Sequence, residues 1–235
     1  LNPTDAMLSD ANAQLINTYQ VVRSNSALYG VLELVNVLDE MPVCKTVYCQ
    51  LAYCTQDEVC AMSMMDQAAR FVYLNKTGYN GLYRVNATGE YNIPWGKYKN
   101  PKLYNYLDLY GAHKTLDRPY QVVRCQDFRD ALEYADTDDF VYCDPPYHGG
   151  FTGYTAQGFS EQDQIDLARM CADLAGRGCH ILASNSNTDF IRQTWGQYGC
   201  FDIHEVMAPR SISCKGEGRG KVKELIITNV KRKEG

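Results

Sequence analysis

The stretch of sequence that decides the fold is FVYCDPPY, residues 140–147. Residues 140–143 are apolar throughout, which predicts a buried β-strand. The strand leads directly into the tetrapeptide Asp144–Tyr147. In an open α/β sheet, ligands bind beyond the carboxyl ends of the strands. The tetrapeptide is therefore expected at the functional edge of a sheet.

The tetrapeptide has the chemistry needed to bind an exocyclic amino group on a flat ring. Asp144 can accept one hydrogen bond from the amine, and the Pro145 carbonyl can accept the other. Pro145 and Pro146 have fixed φ angles, so both acceptors are held rigidly, and Tyr147 offers a ring for stacking. With both protons engaged, the amine lone pair can turn toward an electrophilic methyl group, which is catalysis by positioning. A strand followed by a structural Pro-Pro turn is the alternative.

Around this motif, predicted strands and helices alternate along the chain. The predicted strands are residues 6–10, 120–124, 140–143, 180–183, 203–207 and 224–229, and the predicted helices are residues 13–23, 127–135 and 161–175. Ser160, with Asp163 three residues later, marks the start of the last helix. The alternation predicts an α/β fold with a doubly wound, largely parallel sheet.

Residues 26–112 differ in character from the rest of the chain. They contain a predicted helix over residues 57–74 and a segment rich in Gly, Asn and Tyr over residues 78–101, with turn residues at 86–89. This composition predicts an inserted, mainly helical domain that carries a β-hairpin. The predicted domains are therefore 26–112 and a discontinuous catalytic domain, 1–25 with 113–235.

Positive charge is concentrated in two segments of an acidic chain. The 235 residues have a net charge of −5. Residues 75–102 nevertheless carry five Lys or Arg against one acid, and residues 207–235 carry eight against three. Such segments are typical of phosphate-contacting surfaces. Charge alone leaves two solvated loops as the alternative.

The ten cysteines match neither a disulfide framework nor a zinc site. The four between Cys44 and Cys60 lack C-x-x-C spacing, and no histidine is nearby. Four others lie in or beside apolar segments, as buried reduced thiols do: Cys143, Cys171, Cys179 and Cys200. We therefore predict no metal site and a reducing, cytoplasmic compartment. No apolar run could span a membrane.

Together, the motifs resemble the Dam-type DNA adenine-N6 methyltransferases, which use S-adenosylmethionine. DPPY at residues 144–147 resembles the catalytic motif of such amino-methyltransferases. GYNGLYR at residues 78–84, with the residues up to Lys99, resembles the target-recognition hairpin of the Dam type. The hairpin separates this family from RNA guanine methyltransferases with a similar tetrapeptide. Further matches follow in chain order over residues 9–12, 151–159, 184–185 and 210–225.

The resemblance implies an S-adenosylmethionine methyltransferase sheet of the Rossmann-like type and roles for individual residues. Asp144, Pro145 and Tyr147 would hold an adenine flipped out of the duplex, with Pro146 shaping the turn. The implied cofactor-binding residues are Asp10, Asp127, Phe128 and Asp144. Asp10 would bind ribose hydroxyls, with a helix N-cap as its alternative, and Asp127 and Phe128 could equally be a cap and a core residue.

The resemblance also assigns DNA contacts to eight hairpin residues. Arg84 would read guanine through a bidentate contact. Tyr79 would act as a wedge in the duplex, and Asn80 would contact the orphan base left by the flipped adenine. Leu82 and Pro94 would contact thymine. Phosphate contacts would come from Lys97, Tyr98 and Lys99. Ordinary hairpin surface is the alternative for all of them.

The sequence departs from the family pattern at its start. The family's cofactor loop, after the first strand, would precede Leu1, and the glycines at 216, 218 and 220 cannot replace it because they do not lie between a strand and a helix. The absent strand would belong between the Asp10 and Asp144 strands. Three explanations are open: the chain is a fragment of a longer protein, the segment comes from another chain, or the chain is a decayed relative. We favour the first. We expect weak or absent S-adenosylmethionine binding and little turnover from the chain alone.

The leading hypothesis is a site-specific enzyme that methylates adenine N6 in double-stranded DNA, in a GATC-like site. A catalytically impaired DNA-binding remnant is the alternative, and an RNA base methyltransferase is less favoured. Restriction-modification, phage and host roles remain open. No obligate protein partner is implied, unless another chain supplies the N-terminal segment.

Overall fold

A computed structural model of the chain describes residues 3–23, 28–150, 152–209 and 221–231. The described residues belong to two compact units. The first unit is Leu1–Asp127 with Gly153–Gln157, and the second unit is Phe128–Thr152 with Gly158–Gly235. The predicted division into domains 26–112 and 1–25 with 113–235 stays a prediction. Most of the basic C-terminal segment, including the glycines at 216, 218 and 220, lies outside the described residues.

The first unit packs helices over a pair of parallel strands. Its elements are β1 (Ala6–Asp10), α1 (Ala13–Arg23), α2 (Tyr29–Glu40), α3 (Lys45–Ala52), α4 (Gln56–Ala61), α5 (Met64–Thr77), α6 (Tyr106–Leu116) and β2 (Gln121–Cys125). β1 pairs with β2 in parallel, with Met7 opposite Val122. The buried core of this unit includes Ile16 of α1, Leu34 of α2 and Leu74 of α5. Helix packing therefore supplies most of its apolar interior.

The helix predicted over residues 57–74 is wrong, because the structure has two helices there. Thr55 and Glu58 form a capping box at the start of α4. Met62 then has extended backbone angles, and the Ser63 hydroxyl accepts a hydrogen bond from the Asp66 N–H to start α5. Two local N-caps thus outweigh a continuous apolar face.

A buried arginine joins three helices of the first unit. Arg70 of α5 is 1% exposed. It donates hydrogen bonds to Gln14 Oε1 of α1 and to the Leu51 carbonyl of α3, both over 2.8 Å. Burial lowers the pKa of its guanidinium. Since a buried charge is costly without partners, these contacts fix how the helices pack.

The second unit contains a mixed sheet flanked by helices. Its elements are α7 (Phe128–Leu132), β3 (Phe140–Cys143), α8 (Glu161–Gly176), β4 (His180–Ser186), α9 (Asp189–Gly196), β5 (Asp202–Pro209) and β6 (Lys221–Thr228). The strand order is β3-β4-β6-β5. β3 and β4 are parallel, whereas β6 is antiparallel to both β4 and β5. The mixed α/β architecture is consistent with a methyltransferase fold.

The prediction that β3 is a buried strand is wrong for most of its residues. Cys143 is buried, but Phe140 is 44% exposed and Tyr142 is 58% exposed. Among the described strands, β3 pairs with β4 alone, and β1 pairs with β2 alone. Phe140 and Tyr142 are two residues apart and therefore share one face of the strand, and it is this face that is exposed, whereas Cys143 points to the other face.

The cysteines of the second unit differ in their burial. Cys143, Cys171 and Cys179 are buried, as predicted, whereas Cys200 is exposed and follows the turn after α9. The described cysteines are free thiols, and the Cys143 and Cys171 sulfurs lie 3.8 Å apart. Among the described residues, no three side chains of His, Cys, Asp or Glu are grouped as a metal would require. None of the described helices has the length and apolar character to span a bilayer.

Candidate functional site

Asp144 lies at the carboxyl end of β3. Cys143 is in register with Ala183 of the parallel strand β4, so the next residues, Asp144 and Ser184, are neighbours. The Ser184 hydroxyl donates a hydrogen bond to Asp144 Oδ1 over 2.6 Å. Asp144 is exposed, and no hydrogen bond from the described residues engages its Oδ2 atom. One oxygen therefore orients the carboxylate, and the other is open to a ligand.

A buried amide network holds the loop that follows Asp144. Gln164 of α8 donates from Nε2 to the Pro146 carbonyl over 2.7 Å. Its Oε1 atom accepts from Asn185 Nδ2 over 2.9 Å, and Asn185 Oδ1 accepts from the His148 N–H over 3.0 Å. Gln164 and Asn185 are 2% and 1% exposed. Because buried polar groups are costly when unpaired, this network fixes the loop conformation.

Tyr147 is half-buried between the loop and β6. Its hydroxyl donates to Glu224 Oε2 over 3.3 Å. Burial is the main cause that raises its pKa; a hydrogen bond with Ser184 opposes the shift, and the charges of Glu224 and Asp144 add to it. The phenol is therefore neutral near pH 7, and its role is to pack, stack and donate.

His148 anchors the end of the same loop. Its Nδ1 lies 3.0 Å from Thr188 Oγ1 and its Nε2 lies 3.1 Å from Glu161 Oε1. The Thr188 hydroxyl also accepts from the Ile191 N–H, at the start of α9. These partners favour the tautomer in which Nε2–H donates to Glu161 and Nδ1 accepts from Thr188. The ring also stacks on Phe190, with centroids 4.4 Å apart.

The predicted hairpin follows α5 in the first unit. A single 3₁₀ turn covers Tyr79–Gly81, and two isolated antiparallel bridges join Gly78 to Trp95 and Val85 to Tyr91. The turn is closed by Asn86, whose N–H donates to the Glu90 carbonyl over 2.9 Å. The segment is therefore a hairpin with two isolated bridges rather than a continuous ladder.

Tyrosine hydroxyls fasten the inner side of the hairpin to the helical core. Tyr91 is buried, and its hydroxyl donates to the Leu74 carbonyl of α5 over 3.3 Å. Tyr48 of α3 donates to the Ile93 carbonyl over 2.7 Å. Burial raises the pKa of both phenols. Both therefore stay neutral and act as structural donors.

The outer side of the hairpin brings several predicted DNA contacts together. The Tyr79 N–H donates to the Pro94 carbonyl over 2.9 Å, and the Asn80 N–H donates to the Tyr98 hydroxyl over 2.7 Å. The Tyr79 and Tyr98 residues are 43% and 41% exposed. Asn80 has a φ of 56°, in the left-handed region that asparagine tolerates better than most residues. Leu82 is half-buried and packs against the helical core.

Two lysines flank Tyr98 in the chain. Lys97 and Lys99 are exposed. Lys99 and Lys76 line a shallow surface depression together with Tyr98 and Pro101. This arrangement of cations and aromatic rings suits phosphates and bases.

Asp10 lies at the carboxyl end of β1. Its Oδ1 accepts from the Asn12 N–H over 2.7 Å. Asn12, not Asp10, is the N-cap of α1, because Asn12 Oδ1 accepts from the Gln14 N–H over 3.1 Å. The N-cap alternative for Asp10 is therefore wrong. The Gln126 N–H donates to the Asp10 carbonyl, which brings Asp127 to the same edge of the strand pair.

Phe128 is the first residue of α7 in the second unit. It is half-buried against that unit's core, with its ring 5.5 Å from the Phe159 ring and 4.4 Å from the Arg129 guanidinium carbon. This packing agrees with the structural alternative for Phe128. Its cofactor role, like that of Asp127, stays a prediction.

The family profile of the D12 class N6 adenine-specific DNA methyltransferases matches residues 1–212. The chain belongs to this family. The membership agrees with the resemblance on which the leading hypothesis is based.

Curated relatives of this adenine methyltransferase match along most of the chain. The "Type II methyltransferase M.MjaIII" of Methanocaldococcus jannaschii is 37% identical, over 95% of this chain and 79% of that protein. The "Type II methyltransferase M1.LlaDCHI" of Lactococcus lactis subsp. cremoris is 33% identical, over 97% and 81%. The "DNA adenine methylase" of Escherichia coli strain K12 is 33% identical, over 94% and 77%.

Sequence reasoning missed several residues that shape the loop after β3. Ser184 and Asn185 were matched to the family without a role, although their place at the end of a strand parallel to β3 was a usable signal. Gln164 gave a weaker signal, as a polar residue on the inner side of α8. Nothing local to His148 or Glu224 predicted their contacts, since the partners are distant in sequence.

Proposed function

We propose that this chain transfers the methyl group of S-adenosylmethionine to N6 of an adenine that has been extruded from double-stranded DNA. The sheets would form the Rossmann-like catalytic domain, and residues 26–112 would form the inserted target-recognition domain. The observation that carries the proposal is the carboxylate of Asp144. It is exposed, oriented by Ser184 through one oxygen, and open through the other.

In the proposed mechanism, the loop binds the adenine by its amino group. Asp144 Oδ2 accepts a hydrogen bond from one amine N–H and the Pro145 carbonyl accepts one from the other, while the Tyr147 ring stacks on the base. The Gln164 and Asn185 network keeps these acceptors in place, so little reorganisation is needed when the base arrives. Extruding the base costs a few kcal/mol, which its contacts in this pocket repay.

The residues present fit an adenosyl cofactor. When bound, S-adenosylmethionine supplies a methyl group on a positively charged sulfur. Asp10 ends a parallel strand and is exposed, and the Asn12 N–H fixes one of its oxygens. A carboxylate in this place suits the hydroxyls of a ribose. Asp127, Phe128 and Asp144 are the other proposed cofactor contacts.

The hairpin would read the DNA. Tyr79 and Asn80 would fill the space left by the flipped base. Arg84 would contact guanine, and Leu82 and Pro94 would contact thymine, as expected for a GATC-like site. Phosphate contacts would come from Lys97, Tyr98 and Lys99. The exposure of Tyr79, Tyr98 and the lysines supports this proposal.

The test is a methyl-transfer assay with the full chain, tritiated S-adenosylmethionine and an adenine-containing duplex. We expect a low, cofactor-dependent level of label in N6-methyladenine after digestion to nucleosides, and none with a duplex whose adenines are replaced by purine, which lacks only the 6-amino group. Asp144→Ala should reduce turnover by about 10²- to 10³-fold while DNA binding is retained, because the hairpin is unchanged.

Two results would contradict the proposal. Binding of duplex DNA without any methyl transfer would identify a DNA-binding remnant. Transfer of the label to structured RNA in preference to duplex DNA would identify an RNA methyltransferase.

A further inference from the structure

We infer, on the basis of the proposed function, that Asn92 is a positioning residue for sequence specificity. Asn92 orients the guanidinium of Arg84 across the hairpin, so that the Nη1 and Nη2 groups of Arg84 can contact guanine. Asn92 would thus set the base preference without touching a base.

The two residues face each other directly. The bridge between Val85 and Tyr91 places Arg84 opposite Asn92, whose N–H donates to the Arg84 carbonyl over 3.1 Å. In return, Arg84 Nε donates to Asn92 Oδ1 over 2.6 Å, and Arg84 Nη2 donates to the Asn92 carbonyl over 3.0 Å. Three hydrogen bonds therefore connect one exposed pair.

The geometry leaves a defined edge of the guanidinium available. Arginine has five N–H donors in one plane, of which Nε and Nη2 form the side edge and Nη1 and Nη2 form the end edge. Asn92 occupies the side edge with two acceptors. No other described residue bonds to the Arg84 guanidinium. The end edge thus keeps two parallel donors, the pattern that matches O6 and N7 of guanine.

Holding the arginine before DNA arrives favours specific binding. A free, exposed arginine loses rotamer freedom when it contacts a base, and that loss weakens the contact. The Asn92 side chain removes part of this loss by fixing Nε. Because the Asn92 carbonyl contacts Nη2 whatever the side chain, changing Asn92 should affect specificity less than removing Arg84.

Three variants separate this role from a general effect on the hairpin. Asn92→Leu has a similar branched shape but no acceptor for Arg84 Nε. Asn92→Asp keeps an acceptor oxygen at that position. Ala87→Ser is the control, since Ala87 is exposed in the hairpin turn.

The assay is methylation of a randomised duplex library by the full chain, with methylated adenines and their flanking bases read by sequencing. Arg84→Ala should reduce the guanine preference at one position by about 10- to 100-fold. Asn92→Leu should reduce it at the same position by about 3- to 10-fold, with other positions unchanged. Asn92→Asp and Ala87→Ser should keep it. The double variant Arg84→Ala with Asn92→Leu should have the same guanine preference as Arg84→Ala alone, because Asn92 acts through Arg84.

The inference is overturned if Asn92→Leu keeps the full guanine preference, or if it weakens the preference at every position equally. It is also overturned if the wild-type chain methylates adenine with no guanine preference, and the proposed function then still stands. If the wild-type chain does not methylate, whether or not it binds duplex DNA, the proposed function fails and the inference fails with it.

Discussion

The loop after β3 in the second unit and the hairpin of the first unit hold their exposed groups in different ways. Behind the loop lies a chain of buried amides, Gln164 and Asn185, which bond directly to its backbone. Behind the hairpin lie buried tyrosines, Tyr48 and Tyr91, which fasten its inner side. Its outer side chains take little part in that packing.

This difference determines which amino-acid substitutions each region should tolerate. In the loop, the groups that fix the backbone also fix the acceptors, so substitution there should affect stability and turnover together. In the hairpin, outer residues such as Arg84 and Lys97 can be exchanged while the inner tyrosines keep the fold. If the hairpin reads DNA as proposed, the recognised sequence can therefore change without a change in the loop after β3.

The largest effect is expected from breaking the amide network. Gln164→Leu removes the donor to the Pro146 carbonyl and the acceptor of Asn185, which leaves one partly buried and one buried polar group without these partners. We expect the free energy of unfolding to fall by about 3 kcal/mol, measured by urea denaturation, and turnover to fall as well.

Gln162→Leu is the matched control for the network. Gln162 is on the same helix but exposed, so the expected change is below about 0.5 kcal/mol. Equal stability of the Gln164 and Gln162 variants would show that the loop does not depend on the network.

The hairpin should respond to a methyl group added at its base. A Cβ at Gly78 would lie 2.5 Å from the Tyr91 hydroxyl and 2.7 Å from the Leu74 carbonyl oxygen. Gly78→Ala should therefore cost about 1–3 kcal/mol and weaken DNA binding, measured by fluorescence anisotropy of a labelled duplex.

The control for Gly78 is Gly111 of α6. A Cβ at Gly111 meets no atom within 4 Å. Gly111→Ala should keep DNA binding and raise stability by up to about 1 kcal/mol, because alanine favours a helix. If Gly78→Ala binds DNA as tightly as Gly111→Ala, the hairpin is not set by the tyrosine packing.

The smallest effect concerns acid stability of the second unit. Arg129 Nη2 lies 2.6 Å from Asp163 Oδ1 and 2.7 Å from Asp166 Oδ2. Burial raises the pKa of Asp163, but hydrogen bonds from Arg129 and Ser160 outweigh it, and the net pKa is lowered. Arg129 is the main cause that lowers the pKa of Asp166.

A carboxyl whose pKa is lower in the folded state than in the unfolded state stabilises the fold at pH values above its ordinary pKa of about 3.9. This stabilisation is lost as the pH falls through the pKa of the folded state. Arg129→Met should lower the urea midpoint at pH 7 and make it less sensitive to pH below about 4. Arg169→Met is the control, because its partner Asp173 is 3.8 Å away and both are exposed. Identical acid profiles for the two variants would contradict the pairing.

Local signals in the sequence predicted much of this structure. The helix over residues 13–23, the capping box at Ser160 and Asp163, and the turn at Asn86 were all visible as short patterns. The family resemblance, anchored on residues 144–147, predicted the family correctly.

Long-range partners were beyond the reach of the sequence. The contact of Gln164 with Pro146 joins residues 18 apart, and that of Tyr147 with Glu224 joins residues 77 apart. Such pairs depend on how α8 and β6 pack, which no local pattern specifies. The same holds for the antiparallel direction of β6, and for the exposure of Tyr142 on an edge strand.

The chain has two tryptophans, and one lies in each unit. Trp95 is half-buried in the hairpin, with its ring 5.0 Å from that of Tyr48, whereas Trp195 is 1% exposed and packs edge-on against Phe201. Their intrinsic fluorescence can therefore be assigned region by region after a single Trp→Phe exchange. Trp195→Phe leaves Trp95 of the hairpin as the emitter, and its fluorescence should change in real time, without any dye, if the hairpin binds DNA as proposed.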